Sequence, residues 1–360
     1  MSRVKKTAVT VVKVAISVGI LATLILLPSN QQAFREVWEK PKNWGMFAVA
    51  GGCCLAAVCI TILRWYWLVR ALGLPFRLRD AFRLGFFGYL CNFISLGAVG
   101  GDVFKAVFLA REQPGKRTEA VATVVIDRIL GLFALMLVVS VAAWWADLLA
   151  MGQRRLDIIC YSAWTATGVL MVGVLLIYWP GFVSGPWFEM LTGLPRVGPV
   201  FGKLIATVRL YRRRWDVMLG TLAMSVATHL VFVLCIWAVA RGLPGPRAEY
   251  QSQLVIVPFG LLASTVPLPG GGLGTFEAAM EFLFRTVPNT PPFEPGQGTL
   301  VAFGYRAITL VIALIGFFYW VSSRKEFQRL REQAEAEAKD STTNTAQSPH
   351  YLGVSLSPPA

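Results

Sequence analysis

The second half of the chain is interrupted at Val266-Pro267-Leu268-Pro269-Gly270-Gly271-Gly272-Leu273-Gly274-Thr275-Phe276-Glu277. Apolar sequence lies on both sides of this stretch, whose four glycines and two prolines cannot continue an α-helix. In lipid, such a break is tolerated only where protein buries it or water reaches it. Helical sequence resumes at Thr275, so the stretch predicts a helix N-terminus at membrane depth, which favours binding of an anion.

A second break, Gly97-Ala98-Val99-Gly100-Gly101-Asp102, interrupts the first half of the chain. It also lies between apolar segments that are each too short to span a bilayer. We expect the two breaks to face each other.

The composition indicates an all-α polytopic membrane protein. Of 360 residues, 55% are hydrophobic and only 15% are charged, and several apolar runs are long enough to span a bilayer. The net charge of +14 is typical of basic cytoplasmic loops, and no nucleic-acid partner is predicted.

The apolar pattern predicts about six membrane helices and two re-entrant hairpins. The helices are expected at 8–27, 44–63, 119–145, 158–179, 215–240 and 299–321, and the hairpins at 84–110 and 250–287. Segment 28–43 is expected to be a short polar loop. Segment 180–214 is basic and predicted to be cytoplasmic, with an interfacial amphipathic helix at about 200–213.

Residues 1–322 are predicted to form one membrane domain, followed by a largely disordered cytoplasmic tail at 323–360. Most of the 34 Lys and Arg fall on the side of the N-terminus, so both termini are expected in the cytoplasm. In this topology, residues 8–147 and 158–322 have the same element order and opposite orientation. Such an inverted repeat is typical of transporters, with the substrate site where the broken elements meet.

Eight charged residues lie within or beside apolar segments, where each costs at least about 2.5–3.5 kcal/mol at a helix centre. They must therefore pair, face a wet cavity or bind a ligand. They are Asp102, Lys105, Asp127, Arg128, Glu277, Glu281, Arg285 and Arg306.

Each of these residues has a structural alternative. Asp102 is either the N-cap of a half-helix at 103–110 or the partner of a buried Arg or a cationic headgroup. Lys105 either neutralises a phosphate or extends to the cytoplasmic surface. Arg128 and Arg306 suit a phosphate because a guanidinium donates two parallel hydrogen bonds, but ion pairs to Asp102, Asp127 or Glu277 would also satisfy them. Glu277 is either a helix N-terminal charge or a gate or substrate group.

The remaining polar residues have simpler explanations. Glu281 and Arg285 are spaced to pair with each other, near the outer surface. Arg64, beside Trp65, is expected to be an interfacial anchor. His229 is expected to be a packed, hydrogen-bonded residue. The sequence contains no Walker A motif and no hydrolase or metalloprotease motif, so neither a cofactor, a metal site nor an enzyme activity is predicted.

These motifs resemble the flippase-like integral membrane family that is related to the transmembrane region of lysylphosphatidylglycerol synthases. The resemblance covers about residues 8–322. The matching motifs are Arg64-Trp65, Gly100-Gly101-Asp102 with Lys105, Asp127-Arg128, the Pro269–Glu277 stretch, and Tyr305-Arg306.

The resemblance implies a lipid flippase fold in which Asp102, Arg128, Glu277 and Arg306 line the path of a headgroup. Lys105 departs from the family pattern, where Arg is expected. No synthase domain follows the last helix, so lipid aminoacylation by this chain alone is not expected. A separate lipid-modifying enzyme is a candidate partner.

The resulting hypothesis is a translocase in the inner membrane for a phospholipid or a polyprenyl-linked lipid. Its alternatives are a secondary transporter of a small soluble anion and a membrane enzyme that acts on a lipid-linked substrate. The candidate substrate-binding residues are Gly100, Gly101, Asp102, Lys105, Asp127, Arg128, Pro269, Gly270, Gly271, Gly272, Gly274, Glu277 and Arg306.

Overall fold

A computed structural model describes residues 3–94, 100–113, 115–152, 154–178, 211, 214–265 and 272–322, and the regular elements in this part of the chain are helices. They are α1 (Arg3–Leu26), α2 (Pro28–Glu39), α3 (Trp44–Ala71), α4 (Leu78–Ile94), α5 (Gly100–Glu112), α6 (Arg117–Trp145), α7 (Arg154–Tyr178), α8 (Trp215–Gly242), α9 (Tyr250–Ala263), α10 (Thr275–Thr286) and α11 (Gln297–Ser322), with a short 3-10 helix at Leu148–Met151. The predicted amphipathic helix at 200–213, apart from Tyr211, and the predicted tail at 323–360 lie outside the described residues.

The prediction of an all-α polytopic membrane protein is confirmed. Among the described helices, five are long and apolar enough to cross a membrane: α3, α6, α7, α8 and α11. A sixth span results if Ala15–Leu26 and α2 are counted together, although the two are bent by 74° at Leu27. The expected number of about six agrees with this upper value.

The prediction of a polar loop at 28–43 is wrong, because most of that segment is helix α2. Pro28 ends α1 and also occupies the first turn of α2, where its missing N–H is not needed. Asn30 and Ala33 are buried, and Asn30 Nδ2 donates to the carbonyl of Leu24 at 2.9 Å. The polar composition of α2 therefore reflects one exposed face of an amphipathic helix.

Helices α3 and α8 form an antiparallel pair, which is the most extensive helix contact in the described chain. Trp67 near the end of α3 lies against Gly220 near the start of α8, and Phe47 at the start of α3 lies against Gly242 at the end of α8. The two glycines allow the large rings to approach the neighbouring backbone. This pair supports the charged residues described below.

Helix α6 is the most buried span and α7 the most exposed. Of the apolar window of α6, 56% is buried, against 11% in α7. The two helices are joined by a hydrogen bond of 2.7 Å between Ser140 Oγ and Thr167 Oγ1. The exposed apolar surface of α7 is suited to contact with lipid tails, whereas α6 is placed to carry polar groups away from lipid.

Two pairs of shorter helices pack at positions where a glycine is required. Gly101 in α5 approaches α4 so closely that a Cβ atom would overlap the carbonyl oxygen of Gly88, and its N–H donates to Asn92 Oδ1 at 2.9 Å. Gly260 in α9 makes room for Met280 of α10, whose sulfur would lie 2.6 Å from an added Cβ. The helices of each pair are therefore closely packed against each other.

We predict that Gly101→Ala destabilises the protein by about 1–3 kcal/mol, because the new methyl group must separate α5 from the backbone of α4. Gly51→Ala in α3 is the matched control, since no atom lies within 4 Å of a Cβ at that position. Unfolding by SDS in mixed micelles, followed by circular dichroism, measures both variants. Equal stability of the two variants would contradict the close α4–α5 contact.

The chain divides into two compact units, Met1–Gly316 and Phe317–Ala360. The first contains all of the contacts discussed below. The described part of the second is the end of α11, where Phe317 and Phe318 are neighbours with ring centroids 6.4 Å apart.

Candidate functional site

A cavity of about 260 Å³ lies between α3, α4, α5, α6 and α8, with further lining from the end of α9 and from α11. We call it the central cavity. Five of its lining residues are charged: Arg64, Asp102, Lys105, Asp127 and Arg128. Polar and aromatic side chains also line it, among them Thr61, Tyr89, Asn92, Thr228, His229, Phe232 and Tyr305.

Residues flanking both Gly-rich breaks line the central cavity. Asn92 precedes the first break and Asp102 is its last residue, while Ser264 and Thr265 immediately precede the second break. Residues 97–99 of the first break and Pro269, Gly270 and Gly271 of the second lie outside the described residues. The described flanks thus meet at one cavity.

Arg64 and Asp127 form a buried ion pair across α3 and α6. Arg64 Nε donates to Asp127 Oδ1 at 2.7 Å, and the two side chains are only 6% and 8% exposed. Arg64 Nη1 also donates to Ser225 Oγ of α8 at 2.7 Å. The prediction of an interfacial anchor at Arg64 is therefore wrong, since this guanidinium joins three membrane helices inside the bundle.

Arg128 and Asp102 form the second ion pair of the cavity, between α6 and α5. Asp102 lies inside the first turn of α5, which begins at Gly100, so it is not the N-cap of a helix at 103–110. The Asp102 side chain is 12% exposed, whereas that of Arg128 is 45% exposed. Arg128 is therefore a half-exposed side chain that lines the cavity.

Lys105 also points into the cavity. Its Nζ lies 3.9 Å from Asp102 Oδ1 and 5.4 Å from the centroid of the Trp65 ring, and its side chain is 12% exposed. The contact with an aromatic face compensates part of the cost of burying the ammonium group. The alternative in which Lys105 extends to the cytoplasmic surface is not the arrangement observed.

The formal charges that line the central cavity sum to a positive value. Three cations, Arg64, Lys105 and Arg128, face two carboxylates, Asp102 and Asp127, among the described lining residues. Charges interact strongly where water is scarce, so one excess positive charge favours entry of a monoanion. Guanidinium and ammonium groups are also the donors that proteins use for phosphate.

Glu277 and Arg306 form a third ion pair, which holds the end of the second Gly-rich stretch. Glu277 is fully buried; its Oε2 accepts from the N–H of Gly274 at 2.7 Å and its Oε1 from Arg306 Nε at 2.8 Å. Arg306 Nη2 donates to the carbonyl of Gly272 at 3.2 Å, and its guanidinium lies 5.3 Å from the Phe276 ring centroid. Glu277 therefore caps α10 and neutralises Arg306 at the same time.

The Asp102–Arg128 and Glu277–Arg306 pairs have the same construction but different accessibility. In each, an acid in the first turn of a short helix after a Gly-rich break pairs with an Arg inside a long helix. Arg128 is 45% exposed, whereas Arg306 is 16% exposed and its partner is wholly buried. The first pair is therefore the more exposed of the two.

The structure brings together only part of the predicted site. Asp102, Lys105, Asp127 and Arg128 line the central cavity. The other described candidates contribute no side chain to its lining; they are Gly100, Gly101, Gly272, Gly274, Glu277 and Arg306.

Among the described lining residues that were not predicted as site residues, two carry an ionisable basic side chain. Arg64 is one of them. The other is His229, whose Nε2 donates to the carbonyl of Gly131 at 3.0 Å, which confirms that it is a packed, hydrogen-bonded residue. The sequence feature that could have identified both as cavity residues is a basic side chain within or beside an apolar segment. For Arg64, the neighbouring Trp65 favoured an interfacial anchor instead.

The predicted pair of Glu281 and Arg285 is confirmed. Arg285 Nε donates to Glu281 Oε1 at 2.6 Å. Glu281 also accepts from the N–H of Gly296 at 2.7 Å and from the N–H of Thr299 at 3.0 Å. This carboxylate therefore fixes the start of α11 against α10 and is not part of the cavity.

The helices and the cavity together define a polytopic membrane protein with a cationic internal site. The family model described as the lysylphosphatidylglycerol synthase TM region matches residues 10–316, and the chain belongs to this family. Comparison with curated proteins finds no match. Membership in this family supports a role related to membrane lipids.

Proposed function

We propose that the protein is a lipid translocase that moves a phospholipid, or a lipid-linked anionic headgroup, across the cytoplasmic membrane. The observation that carries this proposal is the central cavity, where three cations and two carboxylates converge among membrane-spanning helices. Such charges are costly in lipid, and in membrane proteins they commonly mark a substrate path.

The volume of the cavity is consistent with a headgroup and not with a whole lipid. At about 260 Å³ it is smaller than the pockets that enclose drug-sized ligands. The phosphate would be held by Arg128 and Lys105, while the acyl chains remain in the bilayer. Arg64, paired with both Asp127 and Ser225, would contribute positive potential and keep α3, α6 and α8 in place.

We further propose that α4–α5 and α9–α10 are re-entrant hairpins of an inverted repeat. Support comes from the two equivalent acid–Arg pairs, one after each break, and from the close packing within each pair of helices. In this scheme the open Asp102–Arg128 pair and the closed Glu277–Arg306 pair are two gates. Alternating access would exchange which of them is open.

The excess of basic residues on one side supports cytoplasmic termini and a location in the inner membrane. The transported lipid would be a phospholipid or a polyprenyl-linked lipid, and a separate lipid-modifying enzyme would supply it. The chain itself would perform no chemical step, and lipid movement would be downhill or coupled to an ion.

A leaflet-exchange assay tests this function. Purified protein is placed in liposomes that contain traces of fluorescent lipids with different headgroups, and dithionite then bleaches the accessible leaflet. We expect loss of the protected fraction for an anionic lipid, compared with protein-free liposomes. Absence of exchange for every headgroup, together with saturable uptake of a soluble anion, would favour a small-anion transporter instead.

A further inference from the structure

A second cavity, of about 200 Å³, lies where α3 begins and α8 ends. We call it the terminal cavity. It is lined by Asn43 and Met46 at the start of α3, by Ala240 and Arg241 at the end of α8, and by the loop at 243–247. Among the described residues, none lines both this cavity and the central cavity.

Arg241 and Arg247 both line the terminal cavity. Neither forms a salt bridge in the part of the chain that the structure describes, and the described lining of the cavity contains no carboxylate. Arg64 of the central cavity differs from them, because it forms an ion pair with Asp127. Two basic residues without a described acidic partner therefore line one small cavity.

Hydrogen bonds hold the groups around the terminal cavity in place. Arg241 lies over the ring of Trp237, 5.4 Å from its centroid, and Trp237 Nε1 donates to the carbonyl of Ala248 at 3.0 Å. Asn289 Nδ2 donates to the carbonyl of Arg247 at 3.1 Å. These bonds fix the loop before any ligand binds, which reduces the entropy lost on binding.

Further bonds secure the other wall of the cavity. Gln297 Nε2, at the start of α11, donates to the carbonyl of Pro246 at 3.1 Å. The N–H of Asn43 donates to the carbonyl of Gly242 at 3.0 Å, which joins the start of α3 to the end of α8. The cavity is thus built from segments that are held at several points.

The terminal cavity lies at one end of two membrane spans. Trp44 and Tyr250 nearby are 71% and 40% exposed, as is common for aromatic residues at a membrane surface. Along α8, Arg241 is nine residues beyond Phe232 of the central cavity, or roughly 14 Å at 1.5 Å per residue. The terminal cavity therefore lies at the end of two candidate spans, away from the central site.

We propose that the terminal cavity binds a phosphate group, which Arg241 and Arg247 hold together. A cation in the last turn of a helix also complements the helix dipole, but that effect explains Arg241 alone and not the presence of Arg247 in the same lining. The phosphate belongs either to a lipid headgroup in the adjacent leaflet or to a soluble phosphate compound. The proposal does not depend on lipid translocation.

Native mass spectrometry of the detergent-solubilised full chain tests this site. Protein is mixed with equimolar phosphatidylglycerol and phosphatidylcholine, and the retained lipids are counted. We expect the double variant Arg241→Gln/Arg247→Gln to retain phosphatidylglycerol about tenfold more weakly than the wild type, since each lost guanidinium removes a charge-assisted hydrogen bond. Arg35→Gln, which removes an exposed Arg outside both cavities, is the matched control.

A second arm separates the two sources of phosphate. Excess inorganic phosphate that displaces phosphatidylglycerol from the wild type would assign the site to phosphate in general, whereas retention of the lipid would assign it to a lipid headgroup. The single variant Arg247→Gln, at an exposed position, keeps the test valid if the double variant is unstable. Equal retention by the arginine variants, the Arg35→Gln control and the wild type would overturn the proposal.

Discussion

Replacing Arg64 by Met is expected to lower the free energy of unfolding by about 3–5 kcal/mol, because it leaves the carboxylate of Asp127 buried without its partner. The two side chains are among the least exposed charged groups of the described chain. The lost bond to Ser225 adds to the effect, because it removes one polar contact between α3 and α8. Unfolding by SDS in mixed micelles, followed by circular dichroism, measures the change.

The double variant Arg64→Met/Asp127→Asn is the control for this effect. It removes both charges together, so it should recover a large part of the stability that the single variant loses. Arg35→Met, on the exposed face of α2, should be close to wild type. A single Arg64→Met variant as stable as the wild type would contradict the buried pair.

Replacing Arg128 by Gln is expected to reduce lipid exchange by about 100-fold, because the phosphate loses a charge-assisted hydrogen bond worth roughly 1.5–3 kcal/mol. The fold should survive, because 45% of the Arg128 side chain is exposed and Asp102 keeps Lys105 as a neighbour. Arg128→Lys retains the charge but not the two parallel donors, and should have an intermediate rate. The dithionite assay measures all three proteins.

Two results would contradict this prediction. One is a wild-type exchange rate in folded Arg128→Gln protein. The other is an equal loss of exchange in Arg35→Gln, which changes the charge far from the central cavity and would indicate a nonspecific effect.

Arg306 is a less informative position for the same experiment. Its partner Glu277 is wholly buried and also caps α10, so Arg306→Gln leaves an uncompensated carboxylate at the start of that helix. Loss of lipid exchange in Arg306→Gln would therefore have two explanations, which are disruption of the local structure and removal of a binding group. The sequence suggested equal roles for Arg128 and Arg306, and the different burial of their pairs separates them.

The membrane helices and the charged pairs were largely predictable from the sequence. The length of each apolar segment predicts whether it spans the membrane. Such a segment must be helical, because in lipid its backbone hydrogen bonds have to form within the segment. A buried charge must find a partner, and for Arg128 and Arg306 the sequence already named Asp102 and Glu277 as possible acids. The structure selected these pairs from the possible combinations.

The role of Arg64 could not be predicted, because its environment depends on distant parts of the chain. Its contacts come from Asp127 and Ser225, which are 63 and 161 residues away. The predicted helix ended at residue 63, whereas α3 continues to Ala71 and carries Arg64 into the bundle. The aromatic residues that follow are compatible with either a membrane surface or a helix interface.

The local sequence does not distinguish helix α2 from a polar loop. Pro28 both ends one helix and begins the next. The polar residues that follow are compatible with a loop and also with the exposed face of an amphipathic helix. The close approach of Gly101 to α4 was also not predictable from the sequence, because a glycine at the start of a helix has several possible functions. Both features are set by packing partners outside the local sequence.

Photo-crosslinking tests most directly whether a headgroup occupies the central cavity. Protein in liposomes is labelled with phosphatidylglycerol that carries a diazirine in its headgroup, and the labelled peptides are identified by mass spectrometry. We predict labelling of α5 and of α6 near Arg128, with competition by unlabelled phosphatidylglycerol and strong reduction in Arg128→Gln. Labelling confined to the exposed surface of α7, unaffected by either competitor or variant, would contradict the account.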